Sequence, residues 1–252
     1  MTKSLILLAA VSALSLVACD NKNESANSGV PASLTSDPIP APNGGDWRTI
    51  VTQTAEGGFL MGNPDAPVKL VEFGSLTCPH CREFDEKALG PITDTYVKSG
   101  RVSFEFRNYL LGGPDLAASL IARCAGPAGF FGLMRQLYAD QPNWVGKAAA
   151  IDPAEAQALQ AMPPSQQLPR LAEIMGLQQF ASLRGVPVAK SNACLADQAE
   201  IDKLVAMQGE ANSTYEIPGT PSFLINGELL KIDAGVEPWV AVERGLKEAL
   251  GG

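Results

Sequence analysis

The sequence has almost no histidine and no excess of positive charge. It contains one His, and its 19 Lys and Arg are outnumbered by 27 Asp and Glu, which gives a formal net charge of −8. Because phosphate backbones are bound by basic surfaces, this balance argues against nucleic acid as a partner. Hydrophobic residues make up 46% and charged residues 18% of the 252 positions, which is ordinary for a globular protein with a buried core. The length allows one large domain or two small ones.

The N-terminal apolar run is too short for a membrane-spanning helix. It covers residues 4–18, follows a short start that carries Lys3, and contains no charge. A span needs about 20 apolar residues, whereas a run of roughly 15 is typical of a signal-peptide core. The sequence therefore predicts a signal peptide over residues 1–18.

The end of this run, Leu16-Val17-Ala18-Cys19, resembles the lipobox of bacterial lipoproteins. By that resemblance the peptide is cut before Cys19, and the Cys19 thiol carries a lipid. The alternative is a plain secretory signal cut near Ala18, but it would leave a free thiol on a secreted protein. Asp20 resembles the signal that retains enteric lipoproteins in the inner membrane. We expect a periplasmic protein that is anchored at the inner membrane through Cys19.

A linker is predicted after the lipidated cysteine, over residues 19–46. This segment is rich in Asn, Ser, Pro, Ala and Gly and has almost no large apolar residue, so it can bury too little surface to fold. As a flexible coil it would reach about 30 Å. We expect the globular part to begin at Trp47.

The hydrophobic pattern of the remaining chain predicts strands at both ends and helices in between. The segment 47–64 is typical of a strand followed by a turn. Further strands are predicted over residues 68–73, 101–109, 222–225 and 229–232, and helices over residues 81–98 and 236–250. The first of these strands, the helix after it and the next strand form a unit that favours parallel pairing. Asn226-Gly227 predicts a hairpin, and residues 115–215 show helical spacing.

Cys78-Pro79-His80-Cys81 is the segment most suited to chemistry. A Cys-x-x-Cys pair serves as half a zinc site, as a structural bridge or as a redox disulfide. Zinc needs four ligands, and the single His and the isolated other cysteines cannot complete the set, so neither metal nor cofactor is expected. A structural bridge here would close too small a loop to stabilise much.

The position of the motif favours the redox use. It follows a buried strand and begins a helix, where free backbone N–H groups and the helix dipole stabilise a Cys78 thiolate. We expect Cys78 to be the reactive thiol and Cys81 the resolving one. The His80 imidazole would stabilise the thiolate further and make the disulfide more oxidising, although a lone His is more often an ordinary surface or core residue.

The segment from Val71-Glu72-Phe73 through the Cys-Pro-His-Cys motif resembles the DsbA group of thioredoxin-fold proteins, the oxidants of the bacterial periplasm. Gly62-Asn63-Pro64-Asp65-Ala66-Pro67 matches a pattern that precedes the motif in part of that group. The resemblance covers roughly residues 47–250. It implies an α/β thioredoxin-like fold made of residues 47–113 and 216–252, with an inserted α-helical domain over residues 114–215.

The resemblance also implies two site features outside the motif. Gly219-Thr220-Pro221-Ser222-Phe223 matches the family segment in which a cis proline faces the disulfide, and the Thr220 backbone would then pair with a substrate chain. The alternative is an ordinary loop proline before a strand. Glu72 matches the buried acid that exchanges a proton when Cys81 reacts. Strand alternation leaves a solvent-facing Glu72 open as well.

Cys124 and Cys194 remain after Cys19, Cys78 and Cys81 have been assigned. In an oxidising compartment we expect them to form a structural disulfide. The alternative is two buried, unpaired thiols that act as small hydrophobic residues.

The motifs favour a dithiol oxidase that donates its Cys78–Cys81 disulfide to reduced secreted proteins. The resemblance implies reoxidation by a quinone-linked membrane partner of the DsbB type. A reductase or isomerase of the same fold is the alternative, although isomerases of this superfamily usually add a dimerisation module for which no segment here is large enough. A non-catalytic, peptide-binding lipoprotein is a third hypothesis, which the two motif cysteines argue against.

Overall fold

The computed structural model describes residues 37–252. The predicted signal peptide, the predicted lipidation site Cys19 and residues 19–36 of the predicted linker lie outside the described residues. The end of that linker contacts the globular part before Trp47, because the Ile39 N–H donates to the Ser99 carbonyl at 2.7 Å. The buried Trp47 indole N–H donates to the Ile39 carbonyl at 2.8 Å. Packing therefore begins about eight residues earlier than composition suggests.

Six strands form a single mixed sheet within the described part of the chain. They are β1 (Val51–Gln53), β2 (Phe59–Gly62), β3 (Val68–Gly74), β4 (Val102–Asn108), β5 (Ser222–Ile225) and β6 (Glu228–Leu229). Their order across the sheet is β1-β2-β4-β3-β5-β6. As predicted, β3 and β4 pair in parallel, whereas the other neighbours are antiparallel.

The first predicted strand and turn divide differently in the structure. Trp47–Thr49 is a short 3-10 helix, β1 follows it, and Phe59–Gly62 is a strand instead of part of the turn. Phe59 and Met61 are buried, and their strand pairs with β4. The pairing with β4 stabilises this strand, and the Gly and Asn residues of the local sequence, which are typical of a turn, do not indicate it.

Helices surround the sheet and fill the interval between β4 and β5. Their bounds are α1 (Pro79–Phe84), α2 (Gly113–Cys124), α3 (Gly126–Ala139), α4 (Gln141–Ala149), α5 (Pro153–Ala161), α6 (Pro164–Met175), α7 (Leu177–Ser182), α8 (Val188–Leu195), α9 (Gln198–Thr214) and α10 (Pro238–Ala249). Beyond α1 the chain continues through π-helical stretches at Asp85–Leu89 and Ile92–Val97, which complete the predicted crossover between β3 and β4.

The β5–β6 hairpin has the predicted turn and a shorter second strand. Asn226 and Gly227 both have positive φ, 52° and 88°, as a two-residue type I′ turn requires. The Leu230 N–H still donates to the Phe223 carbonyl at 2.8 Å. A turn closed by the Val236 N–H on the Asp233 carbonyl then leads the chain toward α10, so the predicted strand over residues 229–232 ends early.

Both faces of the central strands are covered. Val71 and Phe73 pack with Ala211 of α9 and with Ile217 on one face. On the other face, Phe130 and Phe131 of α3 contact the aromatic rings of β4. A strand covered on both sides is buried along its whole length. The carboxyl end of β3 therefore delivers the chain into the Cys78 motif from within the core.

No helix within residues 37–252 is long and apolar enough to span a membrane.

Candidate active site

Cys78 and Cys81 lie where β3 ends and α1 begins. Cys78 is the N-cap residue of α1, and Pro79 occupies the first turn, where its missing N–H and fixed φ cost nothing. Both sulfur-bearing residues are largely buried, and Cys81 is 0% exposed. The backbone N–H groups of His80 and Cys81, in the first turn of α1, contribute to lowering the pKa of Cys78.

The Cys78 thiol is unusually acidic. A hydrogen bond from the Cys81 thiol, joined by one from the Thr220 side chain and by the backbone N–H groups of Cys81 and His80, lowers the pKa of Cys78 to about 5 against the opposing effect of burial. At pH 7 such a thiol is almost entirely thiolate, whereas an ordinary cysteine is about 3% ionised. Of the two thiols, Cys78 thus has the lower pKa, which is the property that a nucleophile and leaving group in disulfide exchange requires.

This acidity predicts a thiolate titration near pH 5 in the reduced protein. We expect the ultraviolet absorbance of the thiolate to appear with a midpoint near pH 5 and to be absent from Cys78→Ser. Because the folded-state pKa lies below the ordinary value of 9.0, the reduced protein should gain stability relative to Cys78→Ser as pH rises from about 5 to 9, and lose that gain as pH falls. A midpoint near 8 or 9 would contradict the assignment.

Cys81 has the opposite electrostatic character. Burial raises the pKa of Cys81 well above its usual range, and its hydrogen bond to Cys78 and the charge of Glu72 act in the same direction. The Ser75 N–H lies 3.5 Å from the Cys81 sulfur and opposes this effect only in part. Cys81 is thus a thiol at neutral pH, so it needs a proton whenever it leaves a disulfide.

Glu72 lies in β3 with its carboxyl group inside the protein. It is 4% exposed, and its Oε1 has no hydrogen-bond partner. In the sheet register Glu72 is flanked by Phe106 of β4 and Phe223 of β5, and directly opposed residues point to the same face. Solvent exposure of Glu72, left open by strand alternation, is wrong because both faces of β3 are covered.

The surroundings of Glu72 favour its neutral form. Burial raises the pKa of Glu72 well above its usual range, and the charges of Asp85 and Cys78 raise it further. Asp85 is itself buried at the end of α1, and burial raises its pKa to about 6 although Arg135 lies 3.7 Å away. A protonated Glu72 near Cys81 can supply the proton that the buried thiolate needs.

Replacing Glu72 by Gln should stabilise the protein in a pH-dependent way. The raised pKa means that the carboxyl contributes full stability below its unfolded value of 4.5 and progressively less as pH rises. Gln does not ionise, so the variant should gain about 1–3 kcal/mol at pH 8 and nothing at pH 4. Urea unfolding at both pH values measures this, with the exposed Glu248→Gln as the matched control. An equal change at both pH values would count against a buried, neutral Glu72.

Thr220 and Pro221 face the reactive cysteine. The peptide bond between them is cis, and Pro221 directly precedes β5. The Cys78 thiol donates to the Thr220 carbonyl at 3.3 Å, across 142 positions of sequence. The fold therefore brings the Gly-Thr-Pro segment and the Cys-x-x-Cys motif together at one edge of the sheet.

The His80 side chain lies at the surface beside Glu83. It is 73% exposed, and its Nδ1 lies 3.5 Å from the Glu83 carboxylate. The contribution of this residue to the acidity of Cys78 comes from its backbone N–H. The sequence pattern cannot distinguish these two contributions, because both belong to the same position of the motif.

Asp115 holds the loop that leads into the motif, a role that no local sequence pattern indicated. Its carboxylate accepts the Leu76 N–H at 2.9 Å and the Leu111 N–H at 3.0 Å, and the Ser75 hydroxyl also donates to it. Burial raises the pKa of Asp115 to about 6 despite these hydrogen bonds. An acidic residue in the first turn of a helix is common, so the pattern alone would have been taken as a response to the helix dipole.

Two further residues of the helical region support the same loop. The Gln141 amide donates to the Leu76 carbonyl at 2.8 Å and to the Cys78 carbonyl at 2.9 Å. The buried Tyr138 hydroxyl donates to the Ser75 carbonyl at 3.1 Å. Tertiary contacts more than sixty residues apart leave no local pattern from which Gln141 and Tyr138 could have been selected. Together with Asp115 they fix the backbone on which Cys78 sits.

Cys124 and Cys194 are joined by a disulfide in the structure. Their sulfur atoms lie 2.02 Å apart, and the bond connects the end of α2 to α8 across 70 positions. Both residues are far in sequence from the Cys-x-x-Cys pair. Their bond ties two helices of the inserted region together.

Among residues 37–252, no group of three or more His, Cys, Asp or Glu side chains is placed to hold a metal ion. The chemistry described for this site uses only sulfur atoms, one carboxyl group and backbone hydrogen bonds.

A family model described as thioredoxin matches residues 54–242, about three quarters of the chain. The chain belongs to the thioredoxin family. The predicted α/β thioredoxin-like fold with an inserted helical region is confirmed by this match and by the fold of solved structures. Within the thioredoxin family, the relatives described next are DsbA-like proteins and protein-disulfide oxidoreductases.

A solved structure titled protein-disulfide isomerase, from Novosphingobium aromaticivorans, is 32% identical and covers 77% of this chain and 97% of its own, with a TM-score of 0.70. The structure of alpha-DsbA1 from Wolbachia pipientis shares the fold at 22% identity and a TM-score of 0.59, covering 84% of this chain and 94% of its own. A Rickettsia bellii protein, whose name assigns it to the protein-disulfide oxidoreductases, is 25% identical over 68% of this chain. This chain spans only 58% of that protein's length.

Proposed function

We propose that this protein is a thiol-disulfide oxidoreductase that introduces disulfides into reduced secreted proteins. The observation that carries the proposal is the contrast within one motif. The Cys78 thiol is acidic and touches the Thr220 carbonyl, whereas the Cys81 thiol is buried and weakly acidic. A pair of this kind has one sulfur that substrates can attack and one that resolves the intermediate.

The reaction balances as a two-electron exchange. A substrate thiolate attacks Cys78 Sγ of the oxidised protein, the Cys78–Cys81 bond breaks, and Cys81 leaves as a thiolate that takes a proton from Glu72. A second substrate thiolate then attacks the substrate sulfur of the mixed disulfide, and Cys78 leaves as a stable thiolate. The substrate loses two electrons and forms one disulfide, while the protein gains them as the Cys78 thiolate and the Cys81 thiol, and Glu72 regains its proton from water.

The stability of the Cys78 thiolate supports the oxidising direction. A low thiol pKa stabilises the reduced protein relative to its disulfide, which makes the disulfide the stronger oxidant. The same relation is known for DsbA, whose reactive cysteine has a pKa of about 3.5. The backbone beside Cys78 offers an edge on which an extended substrate segment can pair, through the Thr220 carbonyl.

The proposed setting is the bacterial periplasm. The sequence of residues 1–18 supports export, and the lipobox resemblance supports anchoring through a lipid on Cys19 at the inner membrane. After each cycle the Cys78–Cys81 pair must be reoxidised. The DsbA resemblance supports a membrane partner of the DsbB type that passes the electrons to quinone.

The reduction potential of Cys78–Cys81 tests this function. We expect equilibration of the whole protein with glutathione buffers to give a value near −120 mV, like DsbA, together with rapid oxidation of a reduced, unfolded substrate protein. The Cys78→Ser variant is the control for background oxidation. A potential near that of thioredoxin, about −270 mV, would contradict the oxidase and favour a reductase.

A second candidate, disulfide isomerase, is supported by the name of the Novosphingobium relative. Isomerisation starts from the reduced enzyme, because the Cys78 thiolate must attack a wrong substrate disulfide. The discriminating assay supplies a substrate with scrambled disulfides and the reduced protein, without added oxidant. Recovery of native substrate at a rate that exceeds net oxidation would favour the isomerase.

A further inference from the structure

A cavity of about 240 Å³ lies between His80 of the motif and the Thr220-Pro221 segment, and the mechanism above does not use it. It lies between the first turns of α1 and the start of α10, and Thr220 and Pro221 form part of its wall. Because the Thr220 carbonyl contacts the Cys78 sulfur, a substrate chain bound at that backbone would pass directly over this cavity. A side chain near the substrate cysteine is therefore the natural occupant.

The charges around the cavity favour a cation. Its wall contains the carboxylates of Glu83 and Glu237 and the ammonium of Lys87. Lys87 Nζ lies 3.1 Å from Glu237 Oε1, so these two charges largely offset each other. Among the described residues, the ion pair of Glu83 is with the His80 imidazole at 3.5 Å. One carboxylate thus remains in excess of the fixed cations.

The apolar part of the wall suits a long aliphatic stem. Phe84 is buried beneath the cavity, and Pro221 and Pro238 line its sides. Arg and Lys side chains place methylene groups against apolar surface while the charged end stays in contact with water. The carboxylates are about half exposed, 52% for Glu83 and 41% for Glu237, so they can meet such a charged end without full desolvation.

We propose that this cavity is a substrate subsite that binds the cationic side chain of an Arg or Lys close in sequence to the substrate cysteine. The proposal rests on the proposed function, since it names the substrate class of the same site. The net charge of −8 acts in the same direction over longer distances, because it attracts basic peptides.

The test uses the full, oxidised protein and a set of dithiol peptides. The peptides are identical except for one residue, which is Arg, Lys, Gln or Glu. This residue is placed in turn at the two positions before the first cysteine and at the two positions after it. We expect oxidation rates in the order Arg and Lys, then Gln, then Glu at one of these positions, with about a threefold step for each unit of charge. The steps should shrink in high salt, because exposed charges are screened.

Three variants test whether the charge preference responds to the charge of the cavity in the expected direction. Glu237→Gln should lower the Arg-to-Glu rate ratio about threefold, whereas Lys87→Gln should raise it by a similar factor. Glu248→Gln removes the same charge from the far end of α10 and should leave the ratio unchanged. An increase with Lys87→Gln cannot be produced by damage to the fold, so this variant separates recognition from a structural effect.

The outcomes distinguish the subsite from the enzyme. Equal oxidation of all peptides, with no response to the variants, would overturn the subsite and leave the oxidoreductase intact. Oxidation of none of the peptides would overturn the proposed function, and the subsite with it. A preference that is the same in Glu237→Gln, Lys87→Gln and the unaltered protein would place charge recognition elsewhere on the surface and overturn the assignment to this cavity.

Discussion

Changing Cys81 to Ser should stop turnover and accumulate mixed disulfides between Cys78 and substrate proteins. The variant keeps the acidic Cys78 environment in part, but it lacks the thiol that releases a bound substrate. Cys78 can therefore still join a substrate sulfur when an oxidant is present, and the covalent complex persists. Net disulfide transfer should fall to the uncatalysed rate. Non-reducing gels of the whole cell, followed by mass analysis of the adducts, measure the accumulation.

The matched control for this experiment is Cys78→Ser, which should be equally inactive and form no adducts. The contrast depends on the low pKa of the Cys78 thiol and on the deeper burial and raised pKa of the Cys81 thiol. Adducts that form through Cys81 in the Cys78→Ser variant, at a similar yield, would contradict the assigned order of the two thiols. Thiol trapping at acid pH preserves the adducts during analysis.

Replacing both Cys124 and Cys194 by Ala should destabilise the protein by about 4 kcal/mol. The bond closes a loop of 70 positions, and the chain-entropy model relates the loss to the logarithm of loop length. Urea unfolding should show a lower midpoint, whereas the acidity of Cys78 should change little because its hydrogen-bond partners lie elsewhere. A double variant that unfolds within about 1 kcal/mol of the original would show that the two helices are held by packing alone.

The Cys78→Ser background removes a complication from that measurement. In the unaltered protein the redox pair could exchange with the Cys124–Cys194 bond once unfolding exposes that bond. Cys78→Ser removes the more acidic thiol and so reduces this exchange during the comparison. The active-site stability change enters both members of the pair equally and cancels.

The sequence predicted the parts of the site that lie close together in the chain. The strand before Cys78, the helix after it and the Asn226-Gly227 turn each have a short, local pattern, and the structure contains all three. The burial of the Glu72 side chain was ambiguous because strand alternation assumes one buried and one solvent-exposed face. The central strand β3 is covered on both faces. Burial of this carboxyl became evident only when the residues on both neighbouring strands were known.

The supports of the motif could not be predicted from local sequence. Asp115 accepts from a backbone N–H 39 positions earlier, and Gln141 donates to carbonyls 63 and 65 positions earlier. An Asp near a helix start and a Gln in a helix have many ordinary uses, so neither residue type indicates such a contact. The contact between the His80 ring and Glu83 could not be predicted from the sequence either, because a motif specifies a residue but not its side-chain rotamer.

The loop supports have a consequence for how this chain matures. The Cys78 thiol reaches its full acidity when the Thr220 segment, near the end of the chain, has closed over it, and its backbone is held in place when Asp115 and Gln141 have docked. A newly made, half-folded chain therefore carries a less acidic and less reactive thiol at this position. We expect the Cys124–Cys194 disulfide to form before the Cys78 thiol reaches its full reactivity. The folding chain would then be protected from attack by its own Cys78 on that disulfide.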